Sequence, residues 1–211
     1  MDPIDHLSKL LNDLPGIGPR QAKRLAYALI LKPREYTEDL SRMIQEVKRE
    51  ISNCSSCFRF ISKKNLVNGL CSICRNPDRD QSQLMIVCRD IDLQSVEKSG
   101  VFKGNYFILG GSVPVLDKNP EQMIRLRELE HFLKNKTGNK AGNGKELKEI
   151  ILAYNQTAEG EHTARVIEEK FHDFAKEKDI KISHLGRGLS TGTELEYSDN
   201  ETLRNALRNR G

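Results

Sequence analysis

The chain reads as a multi-module protein, part α+β and part α/β, in which a short cysteine-rich segment joins an N-terminal helical module to an α/β domain. Three observations predict this. Apolar residues recur at helical spacing through the first 53 residues. Four of the five cysteines form two C-x-x-C pairs between positions 54 and 74, and from Gln83 onward short apolar runs alternate with amphipathic helices. The expected modules are 1–53, helical; 54–78, cysteine-bearing; 79–176, the α/β domain; and 177–211, a C-terminal extension. Hydrophobic content is 37%, and the longest apolar run, Leu25 to Leu31, is far short of the ~20 residues that span a bilayer.

In the first module, Asp2 caps a helix with Pro3 at its first position and Ile4, Leu7, Leu10, Leu11 and Leu14 on one stripe. The loop Leu14-Pro15-Gly16-Ile17-Gly18-Pro19 follows, then a second helix from Arg20 to Leu31 with Ala22, Leu25, Ala26 and Leu29 at helical spacing. Glycines accept the φ angles of a tight hairpin and let backbone amides approach an anion. Leu14 to Arg34 carries Arg20, Lys23, Arg24, Lys32 and Arg34 with no acidic residue, within a net charge of only +4. The unit resembles the helix-hairpin-helix motif, which holds DNA by its phosphates without reading sequence. Gly16, Gly18, Arg20, Lys23 and Arg24 are the candidate contacts, weighed against a plain turn beside a solvated helix face. A third helix, from about Thr37 to Ser52, is expected to take Thr37 as cap and to pack Leu40, Met43, Ile44, Val47 and Ile51 on the first two.

Cys54/Cys57 and Cys71/Cys74 are separated by thirteen residues. Each C-x-x-C turn aims two sulfurs at one ion, and two such turns close a four-sulfur shell suited to a structural zinc with no position left for a substrate water. Disulfides, the rival reading, need an oxidising compartment, and the opening residues MDPIDHLSKLLNDL do not read as a signal peptide. Around the cysteines, Arg59, Lys63, Lys64, Arg75 and Arg79 outnumber Asp78 and Asp80, which allows a second phosphate surface or simply solvated lysines.

In the α/β domain, strands are expected at Leu84–Val87, Tyr106–Leu109, Glu149–Ala153 and Ile180–Leu185. Helices are expected at Asp92–Lys98, from Asn119 to about Leu133 with Met123, Leu126, Leu129 and Phe132 buried, and at Thr163–Lys176 with Ala164, Ile167, Phe171 and Phe174 facing in. Residues 134–145, rich in Lys, Asn and Gly, read as a basic surface loop. Ser198 and Glu201 form a capping box for a last helix bearing Leu203 and Leu207.

The runs LPGIGPRQAKRLA, YFILGG, IILAYNQTAEGEHTA and GRGLSTGTELEYSDNETLRNAL, in that order around the four cysteines, resemble the bacterial RecR family of recombination mediators over essentially the whole chain. The resemblance implies a helix-hairpin-helix, a four-cysteine zinc finger, a Toprim domain and a C-terminal extension. It further implies a cytoplasmic, nucleoid-associated protein that binds DNA without sequence preference, works with RecO and RecF, and forms a homo-oligomer, a dimer or tetrameric ring. Catalytic Toprim proteins place a glutamate after the first strand and Asp-x-Asp after a later one, to hold Mg²⁺. Here Cys88 and Asn155-Gln156-Thr157 stand there, leaving Glu159 and Glu161. Gln156 replaces an expected proline, and the 134–145 loop looks inserted. The expectation is a non-enzyme with no catalytic residues. A Toprim nuclease or topoisomerase and an RNA-binding zinc protein are the alternatives. Cys88 reads as a small apolar residue at a strand end rather than a nucleophile, because no histidine is spaced to activate it.

Overall fold

The computed structural model describes residues 1–116, 119–138, 146–186, 189, 192 and 194–208. The chain divides into two compact units, Met1–Ile51 and Ser52–Gly211.

In the first unit α1 (Pro3–Asn12) is capped by Asp2, whose carboxylate accepts from the Ile4 N–H at 3.1 Å. Helix α2 (Pro19–Ile30) begins one residue before the expected Arg20, because Pro19 is preset for the first helical position and Gly18 supplies the cap. The two helices pack together and bury Ala22 and Ala26. Helix α3 (Arg34–Glu50) starts three residues before Thr37. Pro33 fixes the entry, and the Thr37 hydroxyl instead bonds back to the Arg34 carbonyl at 2.8 Å. Ile51 leaves the helix with extended backbone angles and opens a strand. The apolar stripe of α3 is not covered as expected: the helix buries no residue, and Ile44 is 58% exposed.

The boundary between the units falls within β1 (Ile51–Asn53), which pairs with β2 (Phe60–Ser62) in a two-stranded sheet around the first cysteine pair, followed by α4 (Ser72–Arg75) on the second. The main sheet is parallel. Its strands are β3 (Asp80–Val87), β4 (Gly104–Ile108), β5 (Glu149–Ala153) and β6 (Lys181–His184), in the order β4-β3-β5-β6. Side chains alternate across it. Leu84, Ile86, Phe107, Leu109, Ile150 and Leu152 face α7 (Leu126–Gly138) and α8 (Ala158–Glu177). Met85, Val87, Tyr106, Ile108 and Ala153 face the cysteine segment together with Leu93 of α5 (Asp90–Ser99). Burial on both faces is why β3, β4 and β5 carry unbroken apolar runs.

Several boundaries move. β3 starts four residues early, with a register shift between Asp80 and Leu84. α5 starts at Asp90 and ends on Gly100 at φ +69°. The helix expected from Asn119 is broken into α6 (Pro120–Met123) and α7. Between them the Arg125 N–H is drawn off to the Leu109 carbonyl at 2.9 Å, and Met123 is 45% exposed instead of buried. Residues 134–138 of the expected basic loop are helical, in α7, and 139–145 lie outside the described residues. α8 starts at Ala158, five residues early, because the Thr157 hydroxyl caps it by accepting from the Gly160 N–H at 3.1 Å. The last helix, α9 (Asn200–Arg208), is capped by Asp199 rather than Ser198: the Asp199 carboxylate accepts from the Thr202 N–H at 2.9 Å.

Candidate metal centre and nucleic-acid interface

The first cysteine turn is built by β1 and β2. Cys54 donates its N–H to the Arg59 carbonyl at 2.9 Å, and Phe58 donates to the Cys54 carbonyl at 3.0 Å from a left-handed conformation, φ 62°. The second turn is the start of α4, where Arg75 donates to the Cys71 carbonyl at 3.1 Å. These turns bring the sulfurs of Cys54, Cys57, Cys71 and Cys74 within 4.8 Å of one another. Cys57 and Cys71 are 3.7 Å apart, close to the ~3.8 Å edge of a tetrahedron with ~2.3 Å zinc–sulfur bonds. The Cys71 N–H points at the Cys54 sulfur at 3.3 Å, a bond that favours a thiolate. Hydrogen bonds with Cys57, Cys71 and Cys74 hold Cys54 well below the usual thiol range, and hydrogen bonds with Cys54, Cys71 and Cys74, together with burial, push Cys57 well above it. The four residues can hold a metal ion, and the chemistry of four thiols at this spacing fits zinc.

The cysteine segment is tied to the sheet. Ile108 of β4 donates to the Cys57 carbonyl at 2.9 Å, and the Phe60 N–H donates to Asp90 Oδ1 at 2.7 Å. Arg79, one of the basic residues considered for phosphate, is only 8% exposed and is held by the Glu97 carboxylate at 2.8 and 3.0 Å and by the Gly104 carbonyl at 2.9 Å. It is a structural tie and is not available to a ligand. Lys63, Lys64 and Arg75 remain exposed.

In the first unit the turn between α1 and α2 is closed by the Ile17 N–H on the Leu14 carbonyl at 3.2 Å, with Gly16 at φ +82°. Gly18 has open space where a side chain would start. Arg20, Lys23 and Arg24 are exposed along one side of α2, opposite the buried Ala22 and Ala26, and make no ion pair among the described residues. Gly16, Gly18 and the three cations are all exposed in this unit.

Cys88 and Tyr154-Asn155 follow β3 and β5, so parallel pairing places them together at the C-terminal ends of the strands. Burial pushes the Cys88 thiol up to about 12, with Asp92 adding to the shift and Arg89 opposing it. Glu159 is exposed on the first turn of α8 and accepts from the Ser112 hydroxyl at 3.3 Å. Gly160 packs so tightly that a Cβ would lie 2.1 Å from the Asn155 carbonyl oxygen. Arg125, beside Gly110 at the end of β4, is a feature that sequence reading missed. Its surroundings looked like one continuous amphipathic helix, and only the break between α6 and α7 turns it toward the strand ends.

Residues 82–186 match the Toprim domain, and residues 4–48 match the RecR helix-hairpin-helix. With the four-thiol centre between them in sequence, these define a modular Toprim protein with an N-terminal hairpin unit. The chain belongs to the RecR family. It is 36% identical over 98% of its length to 93% of the recombination protein RecR of Dehalococcoides mccartyi. It is 34% identical over 99% of its length to 96% of that of Lactobacillus acidophilus, and 30% identical over its full length to 96% of that of Legionella pneumophila.

Proposed function

We propose that the chain is a non-catalytic DNA-binding mediator of recombinational repair, an oligomeric clamp acting with RecO and RecF in the cytoplasm, close to the nucleoid. The observation that carries this is the exposed row of Arg20, Lys23 and Arg24 beside the Gly16–Gly18 turn, with no ion pair among the described residues, in a chain similar to RecR proteins from end to end. Turn amides and the α2 terminus take one phosphate, the cations neutralise its neighbours, and sequence goes unread because only backbone is touched. Zinc held by Cys54, Cys57, Cys71 and Cys74 supports the fold of the segment and offers no catalytic position. Oligomerisation is supported by the uncovered α3 stripe of Leu40, Met43, Ile44 and Val47, which an assembly would bury.

A catalytic Toprim reading needs carboxylates around Mg²⁺, and Cys88, Asn155 and Thr157 supply none. No Mg²⁺-dependent cleavage, relaxation or primer synthesis is expected. Activity that survives purification and vanishes in Glu159→Gln would reverse that.

The test is a Lys23→Ala/Arg24→Ala variant. It should keep its fold, zinc and oligomeric state and lose most duplex binding at moderate salt. The slope of log K against log salt should flatten by about 0.9 for each phosphate that is no longer neutralised. Unchanged affinity and slope would reduce the hairpin to a structural turn. Preference for structured RNA over duplex DNA at matched salt would favour the RNA-binding alternative.

A further inference from the structure

At the end of β4 the chain turns through Gly110, at φ +91°, and a cavity of about 600 Å³ opens between that turn and the start of α7. Arg125 is fixed in its wall. Nη1 donates to the Ile108 carbonyl at 3.0 Å, and the guanidinium carbon stands 5.5 Å from the centre of the Phe58 ring. A Cβ on residue 110 would come within 3.1 Å of that carbon, so the glycine is what lets the guanidinium lie against the strand end. Nε and Nη2 make no hydrogen bond to any described residue. Arg127, Gln122 and Glu128 also line the cavity.

A guanidinium held in this way is a preformed fork for an oxyanion, since the entropy of ordering the side chain is already spent. Its place, at the C-terminal ends of parallel strands, is where open α/β sheets bind ligands. The adjoining position is Cys88, whose carbonyl accepts from the Gly110 N–H at 2.9 Å. With a thiol there, and Asn155 and Thr157 beyond, the positions that hold Mg²⁺ in catalytic Toprim proteins carry no carboxylate, so a phosphate here needs no divalent ion to bridge it to them.

We propose that this cavity binds a backbone phosphate of DNA directly, without a metal ion, through Arg125. This rests on the DNA-binding reading above and adds a contact separate from the hairpin.

The test is duplex and single-strand binding across a salt series in magnesium-free buffer, for the parent, Arg125→Gln and Gln122→Glu. Arg125→Gln should weaken duplex binding about tenfold at moderate salt and flatten the slope by about 0.9. Gln122→Glu keeps size and adds a negative charge to the wall, and should weaken binding about threefold with zinc content unchanged. If Arg125→Gln loses its fold, Gln122→Glu decides alone. The proposal is overturned if Gln122→Glu and a folded Arg125→Gln match the parent while Lys23→Ala/Arg24→Ala does not; an acidic protein surface would then be the next occupant to test. A parent that binds no DNA removes the hairpin reading and this one together.

Discussion

Cys88 shows how one residue's chemistry is set by its surroundings. A thiol at a strand end beside a crevice invites a nucleophile reading, yet it is 4% exposed and burial pushes it up to about 12. Nucleophilic attack requires the thiolate. Iodoacetamide at pH 8, mapped by mass spectrometry, should therefore leave Cys88 unmodified in the folded protein with zinc supplied; rapid alkylation there would refute this account. The same shift fixes a pH dependence. Below pH 9 the thiol is neutral in folded and unfolded chains alike, so its contribution to stability is fully present. Between the ordinary value of 9.0 and about 12 the unfolded chain ionises while the folded chain does not, and stability is lost as pH rises. The loss approaches about 1.4 kcal/mol per pH unit, and Cys88→Ala should abolish that part of it in denaturant titrations between pH 8 and 10.5.

At the scale of elements, Arg79 joins the entry of β3 to α5 and to the start of β4. Its guanidinium bonds Glu97 in α5 and the Gly104 carbonyl, and lies 5.4 Å from the centre of the Tyr106 ring. Burial alone would raise the Glu97 carboxyl, but the opposing interactions, the Arg79 hydrogen bond first among them, hold the group below the usual range. A depressed carboxyl contributes stability above its unfolded value and loses it as pH falls through the folded one. Glu97→Gln leaves a buried cation without its counter-charge and should cost about 2 kcal/mol at pH 7, read from urea midpoints. The gap to the parent should shrink in acid. An equal gap at every pH would mean that the pair contributes shape rather than charge. Arg79 looked like one more surface cation beside the cysteines, because nothing local in the sequence reveals which cation a neighbouring helix will cover.

For the molecule as a whole, the metal centre forms part of the wall of the sheet. Cys54, Cys57 and Cys71 belong to the same apolar cluster as Met85, Val87 and Ile108, and the Cys57 carbonyl occupies the outer edge of β4. A structural site of this kind contributes on the order of 10 kcal/mol to folding its segment. Removing the metal with a strong chelator should therefore speed hydrogen exchange at the Ile108 amide, which bonds the cysteine turn, ahead of amides inside β5. Cys71→Ser should act in the same direction and lose the metal. Equal protection at Ile108 before and after chelation would confine the metal's influence to its own loop.

Much of this was legible in the sequence because it depends on spacing. Two C-x-x-C pairs bring four sulfurs together, Asp2-Pro3 starts a helix, Gly16-Ile17-Gly18 makes a hairpin, and the bounds of β5 fall where its apolar run begins and ends, since short-range geometry decides each of these. Other features depend on partners far away in the chain. Helix α3 carries an amphipathic stripe that promised a cover, yet periodicity cannot say whether a cover exists. The stretch from 119 to about 133 reads as one helical period, yet it breaks at Arg125 because the Leu109 carbonyl, sixteen residues away, captures that amide. The sequence determined which residues could do chemistry; the tertiary structure decided which cations were covered, as Arg79 is, and which were turned toward the strand ends, as Arg125 is. The reason is that burial and hydrogen-bond competition are properties of the packed chain, set by neighbours that no local pattern encodes.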